Sequence, residues 1–200
     1  MENGKISIVI VEDHPVMRNG LAAYFRDTGR WEVCGTASTI VQAKELLVKI
    51  CPDLVLLDIQ LEDGWGLDII PWLNQQNLWP ITAVYSTFDG YSYISAALGM
   101  GVKAYITKRR SESELEGALL KALNGEVCID ETAQIKFRNI TDTLKLLTSR
   151  EAEIFNLAKS GLSNKQIAAH LGISRRTVEN MISSVYSKTG ISSRMELVAL

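Results

Sequence analysis

Apolar and polar positions in the first 125 residues switch repeatedly between two periods. "KISIVIVED" (5–13) is apolar at consecutive positions and breaks at an acidic pair, as in a short strand covered on both faces. Met17, Leu21, Tyr24, Phe25 and Thr28 then follow at helical steps. "WEVCGTAS" alternates in the β manner, and Ala43, Leu46, Leu47 and Ile50 restore the helical stripe until Pro52 ends it. "DLVLLD", "ITAVYS" and "VKAYITK" predict three further short strands, each separated by a segment of helix length. The fifth helix is predicted to open on a capping box, Ser111 with Glu114, and to stop at Gly125. Pro71 falls inside the third helical segment; it removes a backbone donor, which predicts a kink or a late start. Five strands alternating with five helices predict an α/β fold, a doubly wound (βα)5 parallel sheet, over residues 1–125.

Residues 126–147 are polar, with one short helical stretch and no strand–helix alternation, and are predicted to be a linker. The pattern over 148–200 is helical in short pieces. Capping boxes are predicted at Thr148 with Glu151, Ser163 with Gln166 and Ser193 with Glu196, with Gly161, Gly172 and Gly190 between helices. A small all-α four-helix unit follows from this. Within it, Ile167, Ala168 and Leu171 share one helix face, a glycine turn follows, and Val178, Ile182 and Val185 share the next face. That is helix-turn-helix spacing.

Charge separates the same two regions. Residues 141–200 carry eight Lys or Arg against five Asp or Glu, and the rest of the chain carries 13 against 18. The halves are therefore +3 and −5, which suggests different partners, nucleic acid for the second. No stretch approaches the roughly 20 apolar residues that span a bilayer, and "MENGKISIVIVEDHP" lacks a basic leader region. A cytoplasmic protein without a membrane partner is expected. Cys34, Cys51 and Cys128 are odd in number and far apart, and are expected to be small buried thiols.

The ends of the predicted strands carry the chemistry. In an open parallel sheet, ligands bind beyond the carboxyl ends of the strands, where strand order reverses. Glu12, Asp13, Asp58, Ser86 and Lys108 end four of these strands, so three acids, a hydroxyl and an ammonium would meet on one rim. Clustered carboxylates repel and need a cation, and hard oxygen donors favour Mg2+. A lysine and a hydroxyl beside Mg2+ suit a phosphoryl group. "GMGVKA" (99–104) fits a dinucleotide-binding glycine pattern but precedes a strand, and is read as the end of the fourth helix.

With "VEDHP" (11–15), "LLD" ending at Asp58, Gly66 eight residues later, Ser86, and Lys108 after "AYIT", residues 1–125 resemble the receiver domain of two-component response regulators. The resemblance implies that Asp58 accepts phosphate from a sensor histidine kinase. It also implies that Asp13, Asp58 and the Gln60 carbonyl bind Mg2+, with Glu12 acting through water. Ser86 and Lys108 would hold the phosphoryl group, and Tyr105 matches the aromatic that turns inward on activation; the inactive state would keep it half-buried. Glu62 departs from the family, which usually has proline there, and Phe88 occupies a variable position.

Residues 146–200 resemble the LuxR-type DNA-binding domain of NarL/FixJ regulators, through "LTSREAEIFNLAKSGLSNKQIAAHLGISRRTVENMISSVYSKTGISSR". The recognition helix would span about 174–188. By this resemblance Glu179, Asn180 and Ser183 face base edges of promoter DNA, while Arg175, Arg176 and Lys188 serve phosphates. Relatives often carry lysine where Glu179 stands. Met195, Leu197, Val198 and Leu200 would form a face for a homodimer assembled on phosphorylation. The expected function is a phosphorylation-controlled transcriptional regulator, not an enzyme beyond its own Mg2+-dependent phosphorylation and dephosphorylation. The alternative is a protein-binding response regulator whose output domain acts without specific DNA binding.

Overall fold

The computed structural model describes residues 4–189 together with Ile191, Arg194 and Leu197, the side chains of 132–133 and 136–140 excepted. The chain forms two compact units, one from residues 1–89 and 96–133, the other from residues 134–200 with 90–95. In chain order the elements of the first region are β1 (Ile6–Val11), α1 (Pro15–Asp27), β2 (Trp31–Ala37), α2 (Ile40–Ile50) and β3 (Leu54–Leu57). A two-stranded hairpin, β4 (Gln60–Leu61) and β5 (Gly64–Trp65), comes next, then α3 (Ile69–Gln75) and β6 (Ile81–Ser86). The series continues with α4 (Tyr91–Gly99), β7 (Ala104–Thr107), α5 (Glu112–Leu123) and β8 (Cys128–Ile129).

The main sheet is parallel throughout, in the order β2-β1-β3-β6-β7-β8. Its central strand β3 is apolar and buried at every position because both faces are covered. In β1, Ile8 and Ile10 join one core with Phe25 and Trp31, while Val9 and Val11 join a second core with Ala43, Leu47 and Ile69. Successive side chains point to opposite faces, so a continuous apolar run serves two layers of helix. The predicted doubly wound fold is present. The chain runs outward from β1 to β2 and returns to β3 beside β1, so strand order reverses between β1 and β3.

Local signals hold where caps and proline govern. Ser111 and Glu114 form both halves of the capping box on α5. Pro71 sits in the first turn of α3, behind a 3-10 turn at Gly66–Asp68, so the helix starts late. Its missing N–H costs nothing there, since first-turn amides have no partner within the helix. "GMG" ends α4 as expected, with Gly101 at φ 92°.

Two expectations fail. The stretch predicted as a linker without strands contributes β8, which pairs in parallel with β7 through Ala104–Cys128 and Tyr105–Ile129. It then forms α6 (Glu131–Lys145), fifteen residues rather than one short helical stretch. Two paired residues are too few to leave a period, and the strand depends on a neighbour distant in sequence. The cysteines are free, but Cys51 is exposed and the other two are only partly buried.

The second unit contains α7 (Ser149–Lys159), α8 (Asn164–Leu171) and α9 (Arg175–Thr189), with Arg194 and Leu197 also helical. Capping boxes start α7 at Thr148 and α8 at Ser163, and Gly172 closes α8 at φ 64° and ψ 32°, a conformation that favours glycine. Ile167, Val178, Ile182 and Val185 meet Ile154 and Phe155 in one core, as helix-turn-helix spacing required. The third predicted box, at Ser193 and Glu196, lies outside the described residues.

Candidate functional site

The reversal point of the sheet places the ends of β1 and β3 side by side. The Asp58 N–H donates to the Val11 carbonyl at 2.9 Å, so the acids just past the two strands converge. Glu12, Asp13 and Asp58 bring carboxylate oxygens within 4.8 Å of one another. Glu12 and Asp58 are buried, at 2% and 7% exposure, and Asp13 is partly exposed. The loop is pinned by Arg18, whose Nη1 donates to the carbonyls of Glu12 (2.7 Å) and Asp13 (3.0 Å). Sequence reasoning missed Arg18; its only signal was a cation one helical turn beyond the acidic pair.

Ser86 and Lys108 arrive from the next two strands. The Ser86 hydroxyl donates to Asp58 Oδ1 at 2.8 Å. Lys108 Nζ lies 2.6 Å from Asp58 Oδ2 and 2.7 Å from Glu12 Oε2, with its side chain 11% exposed. Burial pushes the Glu12 carboxyl above its ordinary value; the Asp58 charge adds to this and Lys108 opposes it. Burial pulls the Lys108 ammonium down, but its bonds to Asp58 and Glu12 outweigh burial and hold it above its ordinary value. The cluster is thus an acid pair that needs a cation, with one ammonium supplying part of that need.

A cavity of about 290 Å³ opens over these groups, lined by Glu12, Asp13, Asp58, Gln60, Thr87 and Lys108 among others. Gln60 is exposed on β4 and lines this cavity together with the acids. Three carboxylates with oxygen donors alone fit a hard divalent cation. Gly66 makes this geometry possible. A Cβ there would fall 2.0 Å from the Asp58 carbonyl oxygen, and the Gly66 N–H donates to the Ile59 carbonyl at 2.7 Å. Glu62 stands in the turn between β4 and β5. The next residue, Asp63, accepts from the N–H groups of Ile40 (2.8 Å) and Val41 (3.2 Å), which fastens this turn to the start of α2.

Tyr105 is fully buried rather than half-buried, and its hydroxyl donates to the Phe88 carbonyl at 2.7 Å. It points inward, the orientation that resemblance assigned to the activated state. Phe88 also meets the Trp65 ring, with centroids 6.1 Å apart.

On α9, Arg175, Arg176, Asn180 and Ser183 are exposed and Glu179 is partly exposed, which gives one polar helix face. Four of the predicted contact residues, Arg175, Glu179, Ser183 and Lys188, already have protein partners. Arg175 Nε bonds Glu179 Oε1 at 2.7 Å, and the Ser183 hydroxyl donates to the Glu179 carbonyl at 3.0 Å. Lys188 is a correction: its ammonium grips both oxygens of Glu151 at 2.8 and 2.7 Å, so it braces α9 against α7 rather than standing ready for phosphate. Ser184 also donates to Glu151, at 2.7 Å. The Lys188 bond, then those of Ser184 and Thr148, lower the Glu151 carboxyl to about 2. Leu197 is a second correction: it is fully buried in the unit's own core, not displayed on a dimer face. Met195, Val198 and Leu200 lie outside the described residues.

Comparisons with known proteins agree with this division. Residues 8–120 match the response regulator receiver domain, and residues 145–200 match the luxR family of bacterial regulatory proteins. The oxygen regulatory protein NreC of Staphylococcus aureus (strain JH9) is 30% identical over 96% of this chain and 95% of its own length. RcsB from Salmonella enterica serovar Typhimurium, solved bound to a promoter in the presence of phosphomimetic BeF3-, superposes with a TM-score of 0.74. It is 20% identical and covers 98% of this chain and 97% of its own. A DNA-binding response regulator of the LuxR family from Staphylococcus aureus gives a TM-score of 0.57 at 26% identity, over 60% of this chain and 99% of its own. Among the described residues no helix is long and apolar enough to cross a membrane.

Proposed function

This chain belongs to the bacterial response regulators that join a receiver domain to a LuxR-family domain, and from that premise we propose how its residues perform phosphorylation-controlled transcription regulation. Asp58 is the phosphoacceptor. One carboxylate oxygen attacks the phosphorus of a phosphohistidine on a sensor kinase; a P–O bond forms and the P–N bond breaks, with the imidazole as leaving group. Ser86 and Lys108, which now hold the two Asp58 oxygens, transfer their hydrogen bonds to the phosphoryl oxygens. Glu12, Asp13, Asp58 and the Gln60 carbonyl would hold Mg2+, which supplies neutralising charge to the phosphoryl group. Beyond this self-modification the chain is not an enzyme.

The second unit binds double-stranded promoter DNA through α9, as a homodimer on phosphorylation, in the cytoplasm. Arg175 and Arg176 meet phosphates, and Glu179, Asn180 and Ser183 meet base edges. The observation that carries the reading is the Asp58 carboxylate, held between Ser86 and Lys108 beside two further acids, in a chain that also carries the luxR-family match. The pairing of Arg175 and Lys188 with acids favours the second reading, an output unit that binds protein instead.

A small phosphodonor with Mg2+ should add one phosphate to the wild type and none to Asp58→Asn, read by intact mass. The phosphorylated protein should then enrich one sequence from a random duplex pool and shift toward dimer in sedimentation. Label on Asp58→Asn refutes the acceptor, and an unenriched pool favours the protein-binding reading.

A further inference from the structure

Strand β7 carries Tyr105 and ends one residue before Lys108, so its position sets both switch groups. On one side its end is fixed by β6, where the Lys108 N–H donates to the Ser86 carbonyl at 2.9 Å. On the other side the neighbour is β8, whose pairing stops at Tyr105–Ile129. The Thr107 N–H therefore lies beyond the last paired residue of β8 in an interior position, at 2% exposure. Its acceptor is the Asp130 carboxylate, with Oδ2 at 2.7 Å. Asp130 is itself 6% exposed, and its own N–H donates to the Tyr105 carbonyl at 3.0 Å. One residue thus grips β7 at two points, one at Tyr105 and one adjoining Lys108. The next residue, Glu131, begins α6, which continues in sequence toward the helical unit.

Resting on the acceptor reading above, we propose that Asp130 is a positioning residue that couples the phosphorylation state of Asp58, through Thr107 and Lys108, to the start of α6. When Lys108 moves from the Glu12 and Asp58 carboxylates onto a phosphoryl oxygen, the end of β7 shifts with it. Thr107 carries that shift to Asp130. A buried N–H has no cheap substitute acceptor, so the bond moves with the strand rather than breaking. Asp130 touches neither phosphate nor metal, and its effect belongs to the output alone.

The test uses full-length wild type, Asp130→Ala and Asp130→Asn, with acetyl phosphate and Mg2+ as the phosphodonor mixture. Intact mass reads occupancy at Asp58. Affinity for a duplex selected by the phosphorylated wild type is measured before and after labelling. Asp130→Ala should take the same label yet lose about tenfold of the phosphorylation-dependent gain in affinity. Asp130→Asn should recover that gain, because its amide oxygen still accepts from the Thr107 N–H. An undiminished gain in Asp130→Ala overturns the coupling. If Asp130→Ala does not fold, amide exchange over residues 127–131 of the wild type decides: a several-fold change on labelling supports the coupling, and no change at confirmed occupancy overturns it. A wild type that takes no label refutes the acceptor reading, and the coupling with it.

Discussion

Replacing Lys108 with methionine keeps the apolar stem and removes the only ammonium bonded to the acids of the acceptor site among the described residues. Its Nζ stands 2.6 Å from Asp58 and 2.7 Å from Glu12, and the three carboxylates reach within 4.8 Å of one another. At that separation and an effective dielectric of about 20, each pair of like charges repels by roughly 3.5 kcal/mol. Proton uptake at Glu12, already favoured by burial, relieves part of this. Removing one partner of a buried ion pair typically costs about 3–5 kcal/mol, and the relief places Lys108→Met near the lower end, about 3 kcal/mol. The four tryptophans, Trp31, Trp65, Trp72 and Trp79, all lie in the first unit, so their fluorescence follows its unfolding alone. With a urea slope of about 2 kcal/mol per molar, the midpoint in chelator at pH 7 should fall by about 1.5 M. Mg2+ should then stabilise the variant more than the wild type, because no ammonium competes for the acids; at about 100 times its Kd a ligand contributes roughly 2.7 kcal/mol. A variant as stable as wild type in chelator, or a Mg2+ increment no larger than that of the wild type, would falsify this account of the site.

Gly66→Ala should cost about 3 kcal/mol and slow phosphorylation, since its Cβ would meet the Asp58 carbonyl oxygen at 2.0 Å; an unchanged tryptophan-monitored melt removes that close approach from the argument. The Glu151 carboxyl is depressed to about 2, so its contribution to the helical unit is complete above the ordinary carboxylate range and is lost as pH falls toward 2. Glu151→Gln should therefore flatten that part of the acid limb, followed by NMR signals of α7 and α9, and identical limbs count against the Lys188–Glu151 bond. Arg176→Ala should lower the slope of log affinity against log salt by roughly one on any duplex. Lys188→Ala should leave that slope unchanged and lower the melting temperature of the helical unit; a slope change equal to that of Arg176→Ala shows that Lys188 reaches DNA after all. Glu179→Lys should raise affinity for scrambled duplexes, and unchanged non-specific binding sinks the idea that Glu179 restrains Arg175.

The acceptor site was largely legible because its members stand at strand ends. Asp58, Ser86 and Lys108 each follow an apolar run, and a parallel sheet brings such ends to one rim whatever fills the helices between them. Arg18 escaped notice because its role is carried by hydrogen bonds to backbone carbonyls, which leave no residue-type pattern at the accepting positions. On α9 the residue types of the polar face were legible, but their partners were not. Lys188 reads as a free cation at a helix end until Glu151, 37 positions earlier, is placed against it.

Periodicity and caps alone determined the two fold types, the alternation of elements, the starts of α5, α7 and α8, and the late start at Pro71. Each of these rests on forces between residues a few positions apart. Tertiary structure alone decided that β8 exists, that Asp130 receives the Thr107 N–H, that Leu197 is core and that Lys188 is committed to Glu151. Those outcomes depend on which unpaired amide, apolar surface or opposite charge arrives from elsewhere in the chain. A two-residue strand has too little pattern to announce itself; it forms because the otherwise unpaired edge of the buried strand β7 offers donors and acceptors that burial would leave unsatisfied.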